Sequence, residues 1–516
     1  MSGETLLYAL ILLTGALVAY SIFLAATSPL RQVPGPFLAR FTRLWYFRNV
    51  CKGQTHWDNI HLHRKYAPPG SFYAPVVRLR PNMYSISRPE SVVYGIGSKM
   101  TKTALYDAFK HPASEPGLLS HRNQRKYAET RRKVQSMYSM SSLLRYERYV
   151  DVTEGIFEQR LLEMAKSGEF PRFCLGRSEL KIREIGNITY SETFGFLDEG
   201  KDIDHALEAM HAQIEYGALV GIFPWLHPLL YSILEKIPGS GAAGRTFLIK
   251  FARRHIAERE KQRAANDAKG PKPEPAEGVP KDFLDLALDA EQDPEKSMTK
   301  HDVFITGLSN ILAGADTTAV SLTSIFWHLT TYPQTMQRLR AELDQAIAEG
   351  KMTARHVTFK ESQNLPYLQA CIKEGLRMAA ATGIPLWREV PKGSGGIEML
   401  GHFFPEGSEI GLNSWVAHYD EDIWGPDAAQ FKPERWIESD ADKLKMMDSH
   451  FMPFGLGSRT CIGRHISMLE MCKVVPMIVS QFDFDLVNKS GKYETTDMFL
   501  VQPKDFRVVV RAPSSP

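Results

Sequence analysis

The sequence predicts a mainly α-helical protein with small β-sheets, preceded by a helix that spans a membrane. Three observations carry this. Residues 6–26 form an uncharged apolar run. Helical periodicity dominates from residue 124 to residue 348. Strand-like pieces are short and few, at residues 76–79, 397–401 and 506–510.

The first element reads LLYALILLTGALVAYSIFLAA. As a helix it is roughly 30 Å long, enough to cross a bilayer core. Only Glu4 is charged before it, whereas Arg31, Arg40 and Arg43 follow, so the bulk of the chain is expected on the cytosolic side. A cleaved signal peptide is the competing reading, but its apolar stretch is usually shorter and follows basic residues. Val33-Pro34-Gly35-Pro36-Phe37 then stops the helix and stiffens the exit. The expected organisation is an anchor over residues 1–30, a proline-rich hinge over 31–44 and one large domain over 45–516. Residues 262–282 are rich in Pro, Lys and Glu and read as a solvated surface loop. Residues 302–329 form a long, mostly apolar helix. Tyr332-Pro333 ends it and starts another over 334–348, and residues 366–380 form a third.

Length alone, at 516 residues, would suggest two to four domains, but no repeat or clear split divides the body. A hydrophobic fraction of 43% is enough for a large core. The net charge of +3, with no polybasic tract and no recognition motif, does not point to a nucleic-acid binder. The five cysteines (51, 174, 371, 461 and 472) are odd in number, scattered and free of CxxC pairs. This fits a reducing compartment and excludes a disulfide framework or a zinc site.

Cys461 is the residue with the most chemistry around it. It sits in Phe454-Gly455-Leu456-Gly457-Ser458-Arg459-Thr460-Cys461-Ile462-Gly463, before a helix-like run from Arg464. A metal-binding thiolate needs a tight turn, which glycine permits. It also needs backbone N–H groups and a helix N-terminus aimed at the sulfur. Arg459 is placed for a carboxylate, to which a planar guanidinium fork is suited. An inert buried cysteine is the alternative for a lone Cys. The string resembles the haem-binding loop of the cytochromes P-450, with every fixed position filled. VPGPFLARFTRLW and TRRKVQSMYSMSSL add a likeness to microsomal fungal members of the pisatin demethylase-like group.

Within the long helix, Leu312-Ala313-Gly314-Ala315-Asp316-Thr317-Thr318 carries residues that weaken a helix. It resembles the family's oxygen-activation segment. The resemblance implies that Gly314 lets O2 or substrate approach, Thr317 hydrogen-bonds the bound oxygen and Asp316 relays protons. Glu374-Gly375-Leu376-Arg377, followed by Phe431-Lys432-Pro433-Glu434-Arg435-Trp436, resembles the family's buried Glu–Arg–Arg network, here Glu374, Arg377 and Arg435. By the same resemblance Tyr127, Arg131 and Arg388 join Arg459 on the haem propionates, although the aromatic is commonly Trp or His. Phe454, Gly455 and Gly463 would shape the haem pocket.

The resemblance implies the prism-shaped P-450 fold and a haem b cofactor with Cys461 as axial iron ligand. It implies a monooxygenase that uses O2 and takes NADPH electrons from a separate reductase, since no flavin domain is fused. The expected location is the endoplasmic reticulum membrane, single-pass, with a monomeric catalytic unit. A basic face at Lys126, Arg131, Arg132 and Lys133 would meet the electron donor. Pocket walls would come from residues 106–120, 217–228, 309–313, 382–386 and 498–501, and favour an apolar substrate. A fungal secondary metabolite comes first and a detoxified plant phenolic second. A haem-thiolate isomerase or dehydratase, and a non-catalytic haem-binding protein, are the rivals from other classes.

Overall fold

An apolar helix, Gly3–Thr27, opens the chain and is exposed along its length. The structure, a computed structural model, describes residues 3–167, 186–192, 202–267, 280–487, 492–504 and 506–511. The proline-rich stretch after the anchor is pinned to the body. The Arg78 N–H donates to the Pro34 carbonyl at 2.7 Å, and the Arg78 guanidinium donates to the Leu30 carbonyl at 2.6 Å. A Cβ on Gly35 would fall 2.4 Å from the Arg78 carbonyl oxygen, so only glycine allows this approach.

The body is helical, with small sheets at its edges. One mixed sheet has five strands in the spatial order Val76–Arg80, Met83–Ile86, Glu409–Leu412, Arg388–Glu389 and Thr101–Lys102. Met83–Ile86 pairs parallel with Glu409–Leu412, with Met83 opposite Glu409. The last pair is antiparallel and puts Lys102 opposite Arg388. Three two-stranded ribbons complete the β-structure of the described residues. The sheet joins segments more than three hundred residues apart, which no local pattern in the sequence announces.

The central element is the helix Lys300–Thr331. Thr299 and Asp302 form a capping box at its start. Pro333 opens the next helix, Pro333–Ala348, where the lost N–H costs nothing. Lys300–Thr331 is long and apolar enough to cross a membrane, but it is largely buried within the body. It packs with Pro366–Met378 and Arg464–Gln481 around the main core, which holds Leu322, Ile325, Leu368 and Val475. The polar stretch expected as a loop from residue 262 begins later than that. Helix Gly241–Asp267 runs through its first six residues, because Gln, Arg and Ala extend a helix well. Residues 268–279 of that stretch lie outside the described residues.

Candidate active site

The cysteine loop is closed by one hydrogen bond, from the Cys461 N–H to the Phe454 carbonyl at 2.8 Å. Gly455 and Gly457 occupy left-handed backbone, with φ of +69° and +63°. A Cβ on Gly457 would lie 1.8 Å from the Tyr94 carbonyl oxygen. Gly463 differs from the expected pattern. Its φ of −81° suits any residue, and a Cβ there would sit 3.9 Å from the Cys461 sulfur. Gly463 contributes its N–H, which points at that sulfur together with the N–H of Arg464. Burial pushes the Cys461 thiol up; these two N–H groups and the charges of Arg131 and Arg464 pull the other way. Cys461 lies deep in the fold and is nevertheless exposed. The two facts agree because the side chain borders an internal opening.

Four cations gather near this loop. The Arg131 guanidinium donates to the Thr460 carbonyl at 2.7 Å and to the Tyr127 hydroxyl at 2.8 Å. The Tyr127 hydroxyl reaches the Ser458 carbonyl at 3.4 Å. Arg459 lies over the Tyr127 ring, 4.2 Å from its centroid, and donates to the His121 carbonyl at 2.8 Å. Arg388 donates to the Trp387 carbonyl at 2.9 Å, and Lys102, opposite it in the sheet, to the Leu119 carbonyl at 2.5 Å. All four bond neutral carbonyl oxygens, and among the described residues none forms an ion pair. Burial and mutual repulsion lower the Lys102 pKa well below its usual value and bring Arg459 down to about 10. Like charges placed opposite each other in a sheet are unfavourable, and buried unpaired charge more so. Such a set of cations suits an anionic ligand.

Behind the loop lies a second charge network. Arg377 grips Glu374 with two hydrogen bonds of 2.9 and 2.8 Å, and Arg435 adds a third of 2.9 Å. The Trp436 indole N–H donates to the same carboxylate at 2.9 Å. Glu374 and Arg377 have no exposed side-chain surface. Burial alone would raise the Glu374 pKa, but the two arginines hold it below its ordinary value. A buried imidazole ties this network to the cysteine loop. His418 Nδ1 donates to the Arg377 carbonyl at 2.9 Å, and its Nε2 accepts the Met452 N–H at 2.9 Å, two residues before Phe454. Burial lowers the His418 pKa to about 3, so the ring is neutral in this role.

The long helix stays regular through Gly314 and Asp316. Three polar side chains in this stretch are engaged. Thr317 donates to the Ala313 carbonyl at 2.8 Å, Thr318 meets the Ser467 hydroxyl at 2.8 Å, and Asp316 faces His211 at 3.1 Å. Ile305, Ser309, Ala313 and Thr317 are accessible, although most of their helix is buried. Spaced by four, they form one stripe, and Gly314 adjoins it. The Thr318–Ser467 contact ties this helix to the one that starts just after Cys461.

Segments expected as separate pocket walls meet in one apolar cluster: Tyr106 and Phe109, Ala218 and Ile222, Ile384, and Phe499 with Leu500. The Phe109 and Phe499 rings are 4.7 Å apart. A cleft of about 1430 Å³ lies elsewhere, along helix Gln124–Val134 beside Lys126, Arg132 and Asp302. The basic face expected there is thinner than four residues. Lys126 and Arg132 are exposed, Arg131 turns inward, and Lys133 pairs with Asp302 at 2.7 Å. Sequence reasoning missed Lys102, His211, His418 and Trp436; only Trp436, inside the Phe431–Trp436 motif, carried a signal.

An accessible cysteine on a glycine turn, followed by a helix tied to the central one through Thr318 and Ser467, is an arrangement that suits a haem-thiolate enzyme. The family model for Cytochrome P450 matches residues 39–510, and the chain belongs to that family. It is an oxygen-incorporating oxidoreductase with the P450 fold. The chain is 34% identical to a "Cytochrome P450 monooxygenase" of Aspergillus terreus, over 92% of this chain and 96% of the relative. It is 33% identical to a "Pisatin demethylase" of Fusarium vanettenii, over 95% and 91%. A crystal structure of a cytochrome P450 superposes with a TM-score of 0.72 at 18% identity, over 93% of this chain and 99% of that one.

Proposed function

We propose that Cys461 would hold the iron of a haem b as a thiolate and that Arg131, Arg388, Arg459 and Lys102 would hold its propionates, with Tyr127 supporting the arginines. The supporting observation is the set of four cations that bond neutral oxygens and form no ion pair among the described residues, beside an accessible cysteine sulfur. Bound there, haem supplies O2 binding, and thiolate donation favours O–O cleavage. The protein does the rest. The N–H groups of Gly463 and Arg464 point at the sulfur and favour its anion against the effect of burial. Gly455 and Gly457 shape the turn, and Phe454 closes it. Gly314 leaves room at the stripe. Thr317 has its donor engaged on Ala313 and offers its hydroxyl oxygen as an acceptor to the interior. Asp316 moves protons toward that side. Glu374, Arg377 and Arg435 keep the scaffold behind the loop rigid.

The substrate is an apolar small molecule, in keeping with the Tyr106, Phe109, Ile384 and Phe499 cluster. A fungal secondary metabolite is the first reading of that substrate and a detoxified plant phenolic the second; the fungal sources of the relatives fit the first, and the relative named a demethylase keeps demethylation open. Electrons come from NADPH through a separate reductase, which meets Lys126 and Arg132. The anchor over residues 1–30 and the segment over 31–44 hold a single catalytic unit, residues 45–516, at the cytosolic side of the endoplasmic reticulum membrane. Exposed Trp225, Leu229 and Ile233, with Trp225 against Arg43 and so beside exposed Leu44, support this placement.

The test is the reduced, carbon monoxide-bound spectrum of the expressed protein. A Soret band at about 450 nm is expected for thiolate ligation. Well-folded protein that takes up no haem would overturn the assignment. Product formed without NADPH would favour the isomerase or dehydratase instead.

A further inference from the structure

Asp316 is almost enclosed, with 5% of its side chain exposed, on the buried central helix. Its Oδ2 lies 3.1 Å from the Nε2 of His211. His211 belongs to a different element, helix Ala206–Val220, and keeps 39% of its side chain exposed. Glu208 and Glu215, three before and four after it, are exposed. One face of that helix therefore opens outward, whereas Leu207, Met210, Ile214 and Ala218 are buried on the other. His211 is thus the group through which an enclosed carboxylate touches an accessible surface.

We propose that His211 is a positioning residue that feeds protons to Asp316 from solvent. This rests on the assignment of Asp316 to proton delivery made above. A proton enters at one ring nitrogen from water, and the Nε2 proton passes to Asp316 Oδ2. The imidazole is left neutral, the carboxyl is protonated, and rotation of the half-exposed ring resets the donor. The groups that act on the imidazole are Asp316 on the central helix, Glu215 on its own helix and Asp202 before it. Burial opposes the charged ring, but the Asp316 hydrogen bond and these carboxylates outweigh it and hold the pKa above the ordinary value. The donor form is therefore populated near neutrality. The alternative is a contact that only fastens Ala206–Val220 to the core.

His211→Gln separates the two, because glutamine can still donate to Asp316 but cannot pass a proton on. The measurement uses reductase-reconstituted holoenzyme with O2 as the only oxidant. Peroxide released per NADPH should rise by about threefold or more, and the solvent deuterium effect on NADPH use should grow. The carbon monoxide spectrum and the amide-exchange protection of residues 206–220 should stay unchanged. Independently of turnover, the histidine ring signal that His211→Gln removes should titrate lower in Asp316→Asn. Unaltered peroxide yield and isotope effect, or an unmoved signal, would overturn the proposal. Lost protection across the helix would assign His211 a structural role only. A wild-type protein without the 450 nm band would instead defeat the haem assignment itself.

Discussion

Gly457 is under the tightest constraint in the cysteine loop. It needs positive φ, and its α-carbon faces the Tyr94 carbonyl with no room for a side chain. Gly457→Ala is expected to displace the loop at a cost of about 1–3 kcal/mol from the backbone alone, plus the clash. The fraction of purified protein showing the 450 nm band should fall several-fold while far-UV helicity persists. Thr317 makes a separate prediction. Its hydroxyl is accessible, so Thr317→Ala should keep the carbon monoxide band and the fold. Coupling should shift from product toward peroxide, by about tenfold or more if the hydroxyl assists proton delivery. Unchanged coupling would remove Thr317 from the relay. Both residues could be singled out from the sequence because each stands in a short string dense with residues that local structure alone would not select.

At the scale of elements, the loop is held through the helix behind it. Glu374 and Arg377 lie on Pro366–Met378, and His418 carries that rigidity on to Met452. His418→Leu removes an acceptor from a buried N–H and a donor from a buried carbonyl, at a cost of about 1–3 kcal/mol for each unsatisfied group. The expected result is a lower melting temperature together with partial conversion of the 450 nm band toward about 420 nm, a sign of lost thiolate ligation. A fall in stability with the band intact would mean that His418 supports the core but not the loop. Glu374→Gln is harsher. It leaves two buried guanidinium groups short of charge, and about 3–5 kcal/mol of destabilisation is expected from chemical unfolding. The Glu374–Arg377 spacing was legible as a helical i, i+3 pair, but such pairs are common on surfaces. Burial turned it into a network, and burial depends on helices that arrive from elsewhere.

For the molecule as a whole, acid sensitivity follows from buried neutral histidines. Burial lowers His63 and His328 to about 4 and His418 to about 3, from an ordinary value of 6.5. A depressed folded-state pKa means that stability is full above 6.5 and is lost as pH falls toward 3–4, because the unfolded chain binds protons that the folded one refuses. Each histidine contributes at most about 1.4 kcal/mol per pH unit in that window. Thermal unfolding between pH 7 and pH 5 should therefore show a clear drop in melting temperature. Replacing His63 by Gln should make that drop shallower. The proposed membrane placement makes a second prediction at this scale. Protein lacking residues 3–27 should still float in part with lipid vesicles, through Trp225, Leu229 and Ile233. Complete loss of flotation would confine membrane binding to the anchor.

The sequence by itself determined the helical class, the apolar anchor, the cysteine loop and the acid–alcohol pair on the central helix. Each is written within some ten to thirty contiguous residues, where periodicity, glycine placement and neighbouring groups act locally. Only the tertiary structure decided which cations share the site. Lys102 meets Arg388 because two distant strands pair across a sheet, and Arg131 turns inward because the Thr460 carbonyl lies there to receive it. It also decided that His211 reaches Asp316 across more than one hundred residues. Such contacts depend on how separate elements pack to bury apolar surface, and no spacing along the chain encodes them.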